Sequence, residues 1–273
     1  MTTDQVKKAA AFLAAHRGEQ PLLLPNPWDA GSTKLLTSLG FEALATTSSG
    51  FAGTLGRLDG SVTRDEALGH SAAIVAATGL PVSADLENGF ADEPAGVRHT
   101  VELALDTGLA GCSIEDSTGR SDDPIYDAAL AAERVRAAAE AAHAGPVHLV
   151  LTARSENYLH GRPDLADTIA RLQSFQESGA DVLYAPGLSR LEDIRRVVSE
   201  VDLPLNVLAR PGAPAVGELA GAGVSRVSVG GAFAFAAMGA LVQAAQELLD
   251  SGTYGFWEGA GAGSQAARAA FGP

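Results

Sequence analysis

Short runs of leucine and β-branched residues alternate along this chain with longer segments rich in Ala, Leu, Glu and Arg. That alternation is the pattern of repeated strand–helix units that build a parallel sheet. Eight runs predict strands, at residues 21–24, 42–47, 80–85, 109–114, 147–153, 180–185, 204–208 and 224–229. Helices are predicted between them, among others at 63–77, 128–143, 163–178 and 190–199, several with Asp or Ser just ahead and Gly just behind, where caps belong. Eight units favour an α/β fold closed as a (β/α)8 TIM barrel. An open doubly wound sheet is the alternative, because periodicity alone does not show that the first and last strands pair. Residues 1–17 read as an amphipathic helix leading into the first strand, and the Gly/Ala-rich stretch 252–273 as a tail made of a loop and a short helix. Gly259, Gly261 and Gly263 follow no predicted strand, so they read as linker rather than as a phosphate loop.

Composition narrows the picture without dividing the chain. With 273 residues, 46% hydrophobic and 19% charged, the sequence fits one folded domain, 1–273, since a single barrel typically needs about 250 residues. Lys and Arg number 19 against 33 Asp and Glu, a formal charge of -14. Such a field repels phosphodiester backbones and anionic membranes, so the expected partner is a small molecule, with neither nucleic acid nor membrane. The apolar stretch around 232–245 is interrupted and shorter than the roughly 18 residues of a membrane span. Cys112 stands alone, so no internal disulfide is possible, and the opening MTTDQVKKAA has no apolar run of a secretory signal. A reducing cytoplasm is the expected compartment.

Parallel barrels place their chemistry at the carboxyl ends of the strands. Here those ends carry Asn26, Trp28 and Asp29; Thr46, Thr47, Ser48, Ser49 and Gly50; Asp85, Glu87, Asn88 and Gly89; Glu115 and Asp116; Arg154; Tyr184 and Gly187; and Asn206 and Arg210. Asp85, Glu87 and Glu115 bring three carboxylates to one rim, and Asp59, from the long loop after the second strand, adds a fourth. Gathered like charges raise one another's pKa unless a cation sits among them, and oxygen donors without His or Cys favour Mg2+, with Mn2+ as the substitute. The plainer account makes Asp85 and Asp116 helix caps and leaves Glu87 and Glu115 to solvent. Arg154, alone at the end of an apolar strand, is expected to oppose the acidic cluster across the rim, where its planar guanidinium suits a substrate carboxylate or phosphonate. The alternative for it is an ion pair with Glu115 or Asp85. The Ser48–Ser49–Gly50 turn offers amides and hydroxyls to a carboxylate or enolate oxygen. No G-x-S-x-G elbow surrounds it and no histidine falls in triad order; only His160, just after Arg154, is kept as an acid or base. Cys112 is expected inside the fourth strand as buried packing, on the face opposite Glu115.

The segments Asn26-Pro27-Trp28-Asp29-Ala30, Thr47-Ser48-Ser49-Gly50, Leu55 to Gly60, Pro81 to Gly89, Ser113-Ile114-Glu115-Asp116-Ser117, Thr152-Ala153-Arg154, Tyr184-Ala185-Pro186-Gly187 and Val227 to Gly231 together resemble the isocitrate lyase/phosphoenolpyruvate mutase superfamily over nearly the whole chain. The resemblance implies a (β/α)8 barrel, a tetramer that exchanges a C-terminal helix between subunits, Mg2+, and a 2-oxo or 2-hydroxy acid or its phosphorus analogue as substrate. Carried over, Asp59, Asp85 and Glu115 look like metal-site carboxylates, Arg154 like the substrate-carboxylate arginine, and the serine–glycine turn like the oxygen-binding loop. The shared chemistry passes through a pyruvate enolate. Two departures stand out. The family's D-A-D run is Ser83-Ala84-Asp85 here, which leaves Glu87 as the candidate for the missing carboxylate. The K-[KR]-C-G-H gating loop of isocitrate and methylisocitrate lyases is replaced by Ser117 to Pro124, with neither cysteine nor histidine, and the asparagine-bearing loop of the phosphonomutases is also not visible. The leading expectation is a Mg2+-dependent lyase or decarboxylase cleaving a C–C bond of a small (di)carboxylate, with Arg154, Glu115 and Tyr184 as catalytic groups and Thr47 to Gly50, Arg154 and Asn206 as substrate contacts. The proton could pass through Tyr184, His160 or a water. A C–P bond enzyme is the alternative, with Arg120 or Arg210 as extra cationic donors, and a non-catalytic binding protein is the third reading.

Overall fold

The computed structural model describes residues 2–272; Met1 and Pro273, the outer ends of the expected first helix and tail, lie outside the described residues. Eight strands form one parallel sheet: β1 Leu22–Leu24, β2 Leu44–Ala45, β3 Val82–Asp85, β4 Gly111–Glu115, β5 Val150–Arg154, β6 Val182–Tyr184, β7 Leu205–Leu208 and β8 Arg226–Ser228. Each lies within or beside its predicted run. The helices are α1 Thr3–Ala15, α2 Ala30–Ser38, α3 Ser48–Thr54, α4 Arg64–Ala76, α5 Pro94–Leu105, α6 Ala128–Ala142, α7 Leu165–Glu177, α8 Leu191–Glu200, α9 Val216–Gly221, α10 Ala232–Ser251 and α11 Trp257–Phe271.

The strand order β1-β8-β7-β6-β5-β4-β3-β2 makes this a (β/α)8 TIM barrel rather than an open doubly wound sheet, because the first strand pairs with the last, Leu22 opposite Arg226. The seam between β1 and β2 is closed by single bonds. The amide of Ala45 donates to Pro25 O at 3.1 Å. Asn26 spans the same gap: its Nδ2 donates to Thr46 O at 2.9 Å while its Oδ1 accepts from the amides of Val229 and Gly230 at 3.0 and 2.9 Å. Asn26 is therefore a latch for the ring.

Sequence determines the outer ring by ordinary means. Thr63 and Glu66 form a capping box at the start of α4, and Asp29 and Ser32 one at the start of α2; such caps contribute about 1 kcal/mol each. The core gathers buried aliphatic side chains such as Val97, Leu149, Leu172 and Val197 between strands and helices. Cys112 is buried there too, as expected. α1 plugs the amino end of the barrel: Gln5 Nε2 donates to Leu105 O and Leu109 O, and Phe12 is fully buried. A Cβ on Gly111 would meet Phe12 Cε1 at 2.8 Å, so glycine at the start of β4 lets that ring seat.

The carboxyl-terminal part departs from expectation. The apolar stretch expected to be short and interrupted is the continuous 20-residue helix α10, long and apolar enough to cross a membrane by length and composition, with only 6% of its apolar window buried. Alanine and leucine carry the helix through its glycine. The expected short tail helix is the 15-residue α11, which contains Gly259, Gly261 and Gly263 and returns onto α2 of the same chain.

Candidate active site

Strand register builds the site. Glu115 lies opposite Arg154, Arg154 opposite Tyr184, Tyr184 opposite Asn206 and Asn206 opposite Arg226, one row crossing five adjacent strands. Asp85 ends β3, and the chain then turns through Glu87 in the left-handed region, φ 48°. Arg134, buried on α6, holds that turn by donating to the carbonyls of Asn88, Ala91 and Asp92. This anchor was not foreseen, since an arginine in a helical run ordinarily signals a solvated face.

Arg154 does not oppose the acidic cluster across the rim; it sits inside it. Its Nη1 is 3.0 Å from Asp85 Oδ1, and its Nη2 lies 3.2 Å from Glu115 Oε2 and 2.9 Å from Glu156 Oε1. The ion-pair alternative is thus the observed state, extended by Glu156, a residue the sequence reading passed over. Glu156 is buried, two positions beyond Arg154 and so on the same side of an extended chain, which was the available signal. Burial pushes its carboxyl up while Arg154 opposes.

The carboxylates outnumber the guanidinium. Glu87 has a buried Oε1 with no hydrogen-bond partner, and burial together with Asp85 and Asp59 pushes its carboxyl up to about 8. Burial also raises Glu115 well above the ordinary range, against the pull of Arg154 and with the push of Glu156, Asp85 and Glu87. Asp59, on the exposed loop at the mouth, is raised by partial burial and by Asp85. An orphaned carboxylate oxygen among acids whose charged forms are disfavoured by burial and by one another is the environment that a divalent cation relieves, and the donors are all oxygen. Asp59, Asp85, Glu87 and Glu115 therefore offer the oxygen donors that Mg2+ or Mn2+ takes, without three of them converging within 4.8 Å in this arrangement. Ser83, where the superfamily run has aspartate, lines the barrel interior two residues before Asp85.

The serine–glycine segment is not a turn but the start of α3. Thr47 caps it, accepting from Gly50 N at 3.2 Å. Ser48 is committed to Asp85 Oδ2, by its amide at 3.3 Å and its hydroxyl at 2.9 Å. Only Ser49 among the three keeps an amide without an assigned partner, and its hydroxyl lies 3.2 Å from Thr47 Oγ1. A Cβ on Gly50 would meet Thr47 Cγ2 at 2.5 Å, so this glycine serves the packing of the cap rather than oxygen binding.

Tyr184 is buried beneath Arg154, whose guanidinium lies 5.0 Å from its ring centroid. Burial pushes its phenol up to about 12 despite the arginine. Asn206 lines the cavity but its amide is engaged, donating to Ser228 Oγ at 2.9 Å and accepting from Arg226 Nε at 3.0 Å. His160 lies 3.2 Å from Ser117 Oγ, and burial and Arg162 lower its pKa. Arg120 is spent on Asp92 and Asp123, and Arg210 is exposed. Asp116 is no cap: it is buried against Arg171, and it accepts from Glu156 N at 2.7 Å, which fixes the backbone of the buried acid two positions beyond the rim arginine.

Two connected spaces result. A cavity of about 180 Å³ inside the strand ring is lined by Thr47, Ser49, Asp85, Arg154, Tyr184 and Asn206. A wider one of about 960 Å³ opens above it, lined by Asp59, Glu87, Glu115, Glu156 and His160.

The phosphoenolpyruvate phosphomutase family profile matches residues 12–249. A crystal structure of a candidate lyase/mutase from Burkholderia cenocepacia J2315 is 51% identical, covers 94% of this chain and 93% of its own, and superposes with a TM-score of 0.92. The 2-methylisocitrate lyase of Escherichia coli K12 is 29% identical over 71% of this chain and 67% of its own. The structure of 2,3-dimethylmalate lyase, itself a member of the PEP mutase/isocitrate lyase superfamily, is 25% identical with a TM-score of 0.82, over 93% of this chain and 90% of its own. Barrel, rim and profile agree that the chain belongs to the phosphoenolpyruvate phosphomutase family, within this superfamily of lyases and mutases.

Proposed function

We propose that this chain is a Mg2+-dependent lyase or decarboxylase that cleaves a C–C bond in a small 2-oxo or 2-hydroxy (di)carboxylate through a pyruvate-enolate-type intermediate. The observation that carries the reading is the surplus of carboxylates around Arg154, with the orphaned Glu87 oxygen among them. Asp59, Asp85, Glu87 and Glu115 would hold the ion, and its chemistry when bound is positive charge beside a substrate oxygen. Arg154, released from part of its present pairing, orients the substrate carboxylate, which suits its position over Tyr184. Ser49 offers its amide to an oxygen in the inner cavity. Tyr184, protonated across the physiological range, is available only as a proton donor, and a weak one, because its phenolate is not populated. The ordinary lyase gating acid is missing, so protonation falls to Tyr184, His160 or water. The same reading makes the protein a cytoplasmic homotetramer, supported by the buried lone thiol and by the apolar side chains that α10 leaves uncovered in one chain.

A C–P reading is favoured by the family profile itself. Against it, Arg120 is paired with two aspartates and supplies no free cation for a phosphonate. The test is incubation with oxaloacetate, 2-methylisocitrate, 2,3-dimethylmalate and phosphonopyruvate, each with Mg2+ or EDTA, followed by 1H and 31P NMR. Metal-dependent release of pyruvate or another carbon fragment from a phosphorus-free acid is expected. A changed phosphorus signal alone would replace the lyase reading with the C–P one.

A further inference from the structure

At the opposite end of the barrel from the acidic rim, two imidazoles converge on one carboxylate. His143 is the C-cap of α6, His148 lies on the approach to β5, and Asp181 immediately precedes β6. Because β5 and β6 are parallel neighbours, the residues that lead into them fall at the amino end of the sheet, whereas Arg154 and Tyr184 end the same strands at the other. His143 Nε2 is 3.0 Å from Asp181 Oδ2, and His148 Nε2 is 2.8 Å from Asp181 Oδ1. The two rings lie parallel with centroids 4.0 Å apart.

We propose that His143, His148 and Asp181 form a Zn2+ site that ties α6 to the entrances of β5 and β6. Three observations carry it. One ligand atom from each residue lies within 4.8 Å of the others, close enough for small side-chain shifts to bring all three onto one ion. The histidines are separated by four residues, Ala144 to Val147, within the H-x3–5-H spacing of zinc ligands. The carboxylate is also oriented from behind: Leu151 N donates to Asp181 Oδ2 at 2.8 Å, the kind of outer bond that fixes a metal-bound acid. The N2O donor set suits a borderline ion such as Zn2+ and not Mg2+, so the two ends of the barrel select different metals. His148 is 44% exposed, which leaves the fourth coordination position to water. Binding replaces the two Nε2–H···O contacts by Zn–N bonds, with each neutral ring carrying its one proton on Nδ1 instead. Its position on the stability face of the barrel makes the site a clip rather than a catalyst.

The test uses the full chain, stripped of metal by chelator and then held in saturating Mg2+ so that the oxygen donors of the rim are occupied. Zn2+ is titrated by calorimetry, and Co2+ by its visible absorption. Uptake of one ion per chain is expected, with a raised melting temperature and Co2+ bands typical of nitrogen and oxygen ligands. His148→Ala, at an exposed position, should weaken uptake by about ten-fold or more, and the His143→Ala/His148→Ala pair should abolish it with the far-ultraviolet circular dichroism unchanged. Undiminished Zn2+ uptake by the double variant, or no uptake by the parent chain, would overturn the proposal and leave Asp181 as the hub of a hydrogen-bond cluster. Because the readouts are binding and melting, the result is independent of the reaction at the rim.

Discussion

Arg154 and Arg226 occupy one register row of the same barrel, and both are withdrawn from solvent. Around Arg154 stand three carboxylates, within 3.2 Å. Arg226 has none among the described residues: its Nε donates to Asn206 Oδ1 at 3.0 Å and its Nη1 to His16 Nε2 at 3.2 Å. Burial and Arg226 hold His16 down to about 3, so its neutral ring can accept that bond. Burial, with Arg154, pushes Arg226 down to about 10, whereas the carboxylates around Arg154 outweigh its burial and raise it. The barrel can thus bury a guanidinium with an amide and an imidazole alone. The acids of the rim are more than Arg154 needs for its own burial, and their surplus points to a second cation.

The largest expected effect comes from breaking the acidic half of the comparison. Arg154→Lys keeps the charge but loses the fork that reaches three acids, and turnover of the NMR-identified substrate should fall by about a hundred-fold or more with the circular dichroism retained. A lysine variant of near-parental rate would remove Arg154 from the reaction. Next, Glu87 sharpens the case for a missing cation. Its folded-state pKa, about 8, lies above its unfolded value of 4.5, so its protonated form favours the fold at low pH. That contribution is lost as pH rises through the folded value. In EDTA the melting temperature should fall between about pH 5 and 8.5, and Glu87→Gln should flatten the fall by about 2–4 °C. Mg2+ added at the upper end should restore the parent more than the variant; equal responses would exclude Glu87 from the metal set.

Arg226→Met tests the half without acids. Asn206 Oδ1 and His16 Nε2 lose their donor, at about 1–3 kcal/mol of stability by chemical denaturation. The response of turnover to Mg2+ should stay as in the parent, since no rim carboxylate pairs with Arg226. Smallest is Cys112→Ala, buried within β4. It should cost about 1 kcal/mol and leave the rate within about two-fold, because burial pushes the thiol up to about 12 and away from reactivity.

All eight strands were legible because leucine and β-branched runs mark buried parallel strands, and the rim acids because they terminate those runs. What the sequence hid is mostly commitment. Ser48 and Gly50 look like free donors in one dimension, yet a threonine ahead of them starts a helix and turns their amides to Asp85 and Thr47. Arg154 looked solitary because Asp85 is 69 positions away. Glu156 was missed because β5 was expected to end before it, and Arg134 because helical patterning does not show which arginine turns inward.

Asn26 also sets an order of events. Its oxygen waits for an amide 203 residues later, so the ring can latch only after about five-sixths of the chain exists. The charged rim needs less of the chain: its widest ion pair, Asp85 with Arg154, spans 69 positions and joins the ends of β3 and β5. The residues that carry the rim charges are therefore all made before the strand that shuts the ring, β8.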